Sequence, residues 1–497
     1  MKMVRSLLLG TAAGFVAVAG AQAADMPVKA KPVQYVKICT LYGDGFYYIP
    51  GTDICLKIGG YVRAEYTYNY GPSMTNGPFA NVSGYQTRTD GQDFTMRSRA
   101  YAWFDSRQQT EYGTLRTYLQ LGLNFDSPNG NAFNGNRAFI QFAGFTAGLA
   151  QSFYDFYSSP ATSYFGPPSS DTGDPGWKVF AYTANFGNGL SSTVSIEEPR
   201  SFGTASAPAG GIINTNFTGN IFTVSNAGPA LVVSDKAKAR FPDLVSNWRI
   251  DQAWGAAQIM FAAHDASAGY YGTTLTGAEI NGHPADKLGW AAAAGAKFNL
   301  PGGDTVGFNF VYGEGATGFV ANATANSQIY NASTSVGVGW LSDGIFANGT
   351  EVELTKAWGV TAAYEHKWNS RWRTSLYGGY VNIDYNDTAT GIINSALAAG
   401  SVCARPFAGL IGNLAVVTAL AGNSCNPDFS FYQVGSRTQF NPVPQLDIGL
   451  DVLYTGLNTA YKGPGTYAAN GSRPAITLFD NQGVWSALVR WQRNFYP

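Results

Sequence analysis

The sequence predicts an all-β protein, a sixteen-stranded antiparallel transmembrane β-barrel with long external loops and short periplasmic turns. Three observations carry this. First, the final stretch VWSALVRWQRNFYP alternates. Trp485, Ala487, Val489, Trp491 and Phe495 fall on one side, and Ser486, Arg490, Gln492 and Asn494 on the other. A period of two is a strand with one apolar and one polar face. Second, connections alternate between long polar stretches and tight turns. Third, Gly numbers 60 residues, aromatics make up 14% and charged residues only 13%, scarce charge for a soluble domain. Such a barrel hides from hydropathy tests because lipid-facing residues are diluted by lumen-facing ones.

Residues 1–23 read as a secretory signal peptide. Lys2 and Arg5 precede the apolar run Leu7–Ala19, and Ala21-Gln22-Ala23 is a small-residue cleavage site. No later apolar run could span a bilayer as a helix. Residues 24–55 form a lead segment, beginning with the Pro-containing ADMPVKAKP. Residues 56–497 form the barrel.

The first strand, Leu56–Tyr70, places Ile58, Val62, Tyr66 and Tyr68 on one face and Arg63, Glu65 and Thr67 on the other. Its length exceeds the ~5–6 residues usual in soluble sheets and suits the ~9–11 that cross a membrane. Strands over Asp93–Arg107 and Thr114–Phe125 repeat the pattern. Shorter or irregular ones are expected at Asn136–Phe142, Phe145–Ser152 and Leu244–Ile250. Regular strands are expected at Lys178–Phe186, Leu190–Glu198, Trp254–His264, Leu288–Asn299, Thr305–Tyr312, Trp358–Trp368, Arg371–Tyr385, Phe429–Gln439 and Leu446–Thr455. The Ala/Leu-rich piece Thr388–Ala421 reads as a helical loop insert.

Long connections begin near Gly71, Asp126, Phe153, Pro199, Ala266, Gly313, Asn386 and Gly456. Short ones lie near Gln108–Glu111, Ala143–Gly144, Gly187–Gly189, Asp251–Ala253, Pro301–Asp304, Asn369–Ser370 and Asn441–Pro444. Eight long and seven short connections join sixteen strands. Segregation of loop length to two ends is the outer-membrane layout, which a soluble sandwich has no reason to adopt.

The polar rows of the first strands carry Arg63, Arg97, Arg99, Arg116 and Arg137. Like charges on neighbouring strands are costly unless water or counter-ions fill the space between them, which implies a wet lumen with a basic wall. The loop FYDFYSSPATSYFGPPSSDTGDPGW holds Asp155, Asp171 and Asp174. Folded into the barrel, it would narrow the lumen and set carboxylates against the arginines, a transverse field that tunes ion preference. The bland alternative is ordinary solvated charge.

Four cysteines in an exported chain suggest two local disulfides, Cys39 with Cys55 and Cys403 with Cys425. No Cys-x-x-Cys or clustered His supports a metal site, no phosphate loop or nucleophile motif supports an enzyme, and no cofactor is expected. With 31 Lys and Arg against 32 Asp and Glu, no nucleic-acid partner is expected.

The segment Tyr35–Tyr66, the ADMPVKAKP lead, the SSDTGDPGW loop ending and the RWQRNFYP terminus resemble the alphaproteobacterial, Rhizobiales-type outer-membrane porins. The resemblance runs end to end, and Cys39 and Cys55 match the family's early pair. It implies a homotrimeric, sixteen-stranded, general-diffusion channel in outer-membrane lipid, with an inserted third long loop, passing small hydrophilic solutes and ions. It also implies that Trp491 and Phe495 are handles for barrel assembly, with Trp485 on the same closing strand. The alternative is a barrel scaffold presenting its loops for adhesion or ligand binding; a barrel enzyme or a plugged active transporter fits less well. Pro497 cannot donate to a ladder, so pairing is expected to stop at about Phe495.

Overall fold

A computed structural model describes residues 37–68, 94–127, 130–156, 162–165, 176–200, 211–216, 240–272, 279–321, 327–332, 334–339, 341–394, 418–467 and 475–495. The predicted signal peptide, Asp171, Asp174, Cys403 and Pro497 lie outside these residues.

Sixteen strands form the barrel. They are β1 Cys55–Tyr68, β2 Phe94–Thr110, β3 Gly113–Ser127, β4 Gly130–Phe142, β5 Phe145–Ala150, β6 Trp177–Gly187, β7 Leu190–Glu197 and β8 Asp243–Gln252. Then follow β9 Gly255–Asp265, β10 Leu288–Asn299, β11 Thr305–Glu314, β12 Lys356–Lys367, β13 Trp372–Asp384, β14 Phe429–Phe440, β15 Leu446–Asn458 and β16 Gln482–Phe495. Each pairs antiparallel with the next, and β16 returns to β1 from Gly60–Phe495 to Tyr68–Ala487. Closure satisfies every edge, which hydrocarbon requires.

The expected strands agree with these to within a few residues at either end, with one correction. The second of the expected long connections, near Asp126, is not a long loop. Residues 128–129 alone join β3 to β4, and Gly130 takes the turn with φ 79°. The stretch GNAFNGN reads as loop because it is small and polar. Here it pairs as strand, Asn131 opposite Phe125 and Phe133 opposite Leu123. Asn136 is then an extra residue, since Gln120 faces Arg137 while Leu121 faces Gly135. This β-bulge breaks the period of two and hides the strand from periodicity. Asn136 uses its bulged position to donate to the Tyr101 hydroxyl at 2.8 Å.

The outward rows are apolar and exposed, and aromatics gather at both ends. Trp290–Tyr312, Trp358–Tyr380 and Tyr454–Trp485 mark the long-loop end. Phe186–Trp248, Trp254–Phe298 and Trp372–Phe440 mark the short-turn end. Rings at two levels match the two membrane–water boundaries. Trp485, Trp491 and Phe495 all face outward and exposed.

The interior is not uniformly polar. Near the long loops, inward residues of β8–β15 such as Val245, Met260, Val311, Val381 and Phe431 form a buried core. The turn Thr317–Phe319 between β11 and β12 enters this core, as do Ala389 and Ile393 of α1, Asp387–Asn394. The helix occupies the start of the predicted Thr388–Ala421 insert; residues 395–417 lie outside the described ones. Inward residues nearer the short turns, including Asn247, Gln258, Asn309, Thr361 and Gln433, stay polar. One side of the upper barrel is therefore filled, and the charged wall of β16 and β1–β4 stands opposite.

Candidate functional site

The connection between β5 and β6, expected as the third long loop, enters the lumen at its described residues 151–156 and 162–165. At its start Asn247 Nδ2 donates to the Phe153 carbonyl at 2.6 Å, and the Phe156 ring packs where Gly295 of β10 leaves room. The guanidinium of Arg249 lies 5.4 Å from that ring. Residues 162–165 dock on the far wall. Asp451 of β15 accepts the Tyr164 N–H at 2.6 Å and the Tyr377 hydroxyl at 2.6 Å. Ser375 donates to the Thr162 carbonyl. The Tyr164 ring covers Gly449, with Arg490 at 3.9 Å and Arg437 at 5.2 Å from its centroid. Burial pushes the Tyr164 phenol up, partly opposed by those two arginines. Desolvated cation–π contacts of this kind are worth ~2 kcal/mol, so the loop is held across the lumen from both walls.

Asp155 does not face the basic wall. Its side chain is fully buried and pairs with Arg200 at 2.8 Å. Arg200 also donates to Ser152 at 2.6 Å, and Ser152 donates to Glu197 at 2.6 Å. The carboxylate ties the third connection to the fourth. An aspartate beside a long, unpaired-looking loop gives no sign in sequence of a partner 45 residues away. Asp171 and Asp174 are outside the described residues.

The basic wall is built in rows across β16, β1, β2 and β3. In one row Arg490 faces Glu65, Glu65 faces Arg97 and Arg97 faces Asp126, alternating in sign. Arg490 Nε donates to Glu65 at 2.6 Å, and Arg97 grips Asp126 with two bonds of 2.6 Å. In the next row Gln492 faces Arg63, Arg63 faces Arg99 and Arg99 faces Asn124. Both arginines donate to the amides at its ends, each at 2.7 Å. Each guanidinium also lies over a neighbouring tyrosine, Arg63 over Tyr61 and Arg99 over Tyr101. Nearer the short turns Arg107 and Arg116 share Asp105. Arg137 donates to the Asn136 carbonyl at 2.7 Å. The arginines anticipated from sequence thus stand on one wall, but Arg97 and Arg99 are only 3% and 6% exposed. Alternation along each strand puts these arginines on the inward face; it does not show which residues face one another across strands, and it gives Glu65, Asp105 and Asp126 no part as partners and Arg107, Arg373, Arg437 and Arg490 no place in the wall.

Cys39 and Cys55 form a disulfide. It fixes the lead against the short-turn end of β1, where Tyr47 pairs with Leu56 and Phe46 lies 4.9 Å beneath the inward Arg107 guanidinium. Cys425 is disulfide-bonded, with its expected partner Cys403 outside the described residues.

A family model described as "Porin subfamily" matches residues 25–486. Porin Omp2a of Brucella melitensis is 34% identical over 222 residues, covering 39% of this chain and 56% of that protein. Porin Omp2b of the same species is 34% identical over 212 residues, covering 39% and 54%. The chain spans just over half the length of these curated relatives. Among solved structures, the outer-membrane channel DcaP of Acinetobacter baumannii superposes with a TM-score of 0.53 at 14% identity, covering 90% of this chain and 99% of that one. That likeness speaks for the fold alone. Closed barrel, two aromatic belts and family place the molecule in the outer membrane, and the chain belongs to the porin subfamily.

Proposed function

We propose that the protein is a passive diffusion channel for small hydrophilic solutes and ions. The single observation that carries this is that the third connection touches a closed barrel at two places, Phe156 on β8–β10 and Tyr164 beside Arg490 of the charged wall, the arrangement of a size and charge filter. Size is set by the loop segment pinned at Phe156 and Tyr164. Charge preference is set by the arginine rows, a side-chain equivalent of the charged rings of ion pores. Family membership implies a channel rather than an enzyme. The resemblance supports a homotrimer, and the leader residues 1–23 are read as removed on export.

Conductance in planar bilayers tests the channel. Stepwise ohmic insertion events in KCl are expected, with conductance falling as polyethylene glycols small enough to enter are added. Folded, purified protein that never conducts sinks the proposal. Heat-modifiable migration at three times the monomer mass tests the trimer.

A further inference from the structure

Beneath the start of the third connection lies a cavity of about 650 Å³ that the charge filter does not use. This is within the ~300–1,000 Å³ of small-molecule sites. Its wall is the inward face of β3–β9. On one side Tyr118 and Phe139 stand directly opposite each other in register, rings stacked at 5.3 Å and 18°. Both are half-buried and inward, so they present apolar faces within a polar interior. Arg116 lies 5.2 and 5.4 Å from the two ring centres and is itself fixed by Asp105.

The rest of the lining is largely uncharged. Amides of Gln120, Gln141, Asn247 and Gln258 and hydroxyls of Thr183 and Thr193 supply donors and acceptors together. Among the charged lining groups, Arg249 is neutralised by two bonds to Asp251 at 2.7 and 2.8 Å. Asp155 is neutralised by Arg200, and Arg137 donates to a carbonyl.

From this arrangement we infer a saccharide-binding subsite, with Tyr118 and Phe139 as its platform. A pyranose ring offers an apolar C–H face to the stacked rings and hydroxyls that both donate and accept around its edge. A planar aromatic solute would use the rings but leave the amides and hydroxyls unmatched, which costs affinity. A simple ion would find Asp155 already paired with Arg200 and Arg249 with Asp251, and would leave the stacked rings unused. The inference rests on the channel reading: a solute crossing the lumen would pause on this wall beside the third connection, which raises its local concentration where flux is decided.

The test uses the full-length protein in planar bilayers, with cellobiose as the probe. The KCl current of each channel is measured first, then its fall as cellobiose is added. A saturable fall with excess current noise is expected. A polyethylene glycol of the same mass should give only the proportional fall expected of viscosity. Tyr118→Leu and Phe139→Leu, which keep bulk but remove the rings, should each raise the half-saturating concentration about tenfold, the size of one lost contact of ~1.4 kcal/mol. Gln120→Leu, which removes a polar group alone, should weaken saturation in the same direction. A cellobiose effect as linear as that of the glycol overturns the subsite. So does unchanged half-saturation in both ring variants. Absence of any KCl current overturns the channel reading itself, a result distinct from conduction without saturation.

Discussion

Arg63 and Arg99 face each other across β1 and β2 in a row that contains no carboxylate. The adjacent row alternates in sign through Arg490, Glu65, Arg97 and Asp126. Two rows of similar composition therefore do different work. The alternating row is an ion-pair ladder that holds four strands in register. The other sets two positive charges side by side, each donating to an amide at the row's end and lying over a tyrosine, with Glu65 of the row above reaching Arg63 at 3.6 Å. The wall's surplus field originates there.

Neutralising that row should change selectivity. Arg63→Gln with Arg99→Gln is expected to shift the zero-current potential in a KCl gradient toward cation preference. Arg97→Gln should instead weaken the barrel, because it leaves Asp126 and part of Glu65 without a partner. Loss of one member of a buried pair costs ~3–5 kcal/mol, read as a lower heat-unfolding temperature in detergent. A selectivity shift in Arg97→Gln as large as that of the double variant, with full heat stability, would reverse the two roles.

The third connection should detach when its seat is filled. Gly449 lies under the Tyr164 ring, and a side chain there meets the phenol directly. Gly449→Leu cannot be absorbed by small shifts, since overpacking of this kind costs ~1–3 kcal/mol. The ring, together with its contacts to Arg490 and Arg437, should lift from the wall. Single-channel conductance and the cut-off for polyethylene glycol entry are expected to change together. A channel with unaltered cut-off would show that Tyr164 does not set the passage.

Much of this barrel was legible in the chain because lipid imposes a strict alternation. β10 is recovered from Leu288 to Asn299 by period alone. Alternation alone starts β4 at Asn136, because the bulge there inverts the pattern. The site was legible as a set of arginines but not as rows, since register decides which residue faces which. Arg63 opposite Arg99, against Arg97 opposite Glu65, differs by a single step of two along each strand. The buried upper core was missed for a related reason. In FSFYQV both Phe429 and Phe431 point inward, while a porin-like reading expects polar residues there. Segments that enter the barrel end, Thr317–Phe319 and α1 among them, make apolar inward residues favourable there.

Acid should loosen the turn between β10 and β11. Asp304 accepts from the Lys367 backbone N–H at 2.9 Å, His366 Nδ1 at 2.8 Å and the Tyr364 hydroxyl at 2.7 Å. Those bonds hold its carboxyl down to about 2. The unfolded value is ~3.9. A depressed folded value gives stability that is full above the unfolded value and disappears as pH falls through the folded one. Heat-unfolding temperature should therefore drop between about pH 4 and pH 2, and the drop should be smaller in Asp304→Asn. Equal acid sensitivity in the two proteins would remove this turn from the acid response.

Closure can be separated from any part that terminal aromatics take in assembly. Trp491–Phe495 pairs with Gly60–Ala64 of β1, and Trp491–Arg493 also pairs with Leu446–Ile448 of β15. Deleting residues 491–497 strips partners from both neighbours at once. Each unsatisfied backbone group in hydrocarbon costs several kcal/mol, so no compensating side chain can rescue the gap. That deletion should give no heat-modifiable barrel in the outer-membrane fraction. Trp491→Ala keeps the whole ladder and removes only an exposed ring, so it should insert at near-normal yield if backbone pairing is the controlling term. Loss of insertion in Trp491→Ala would assign the role to the ring, as a contact for the assembly machinery. Folded barrels recovered from the deletion would refute the closing role of the strand end.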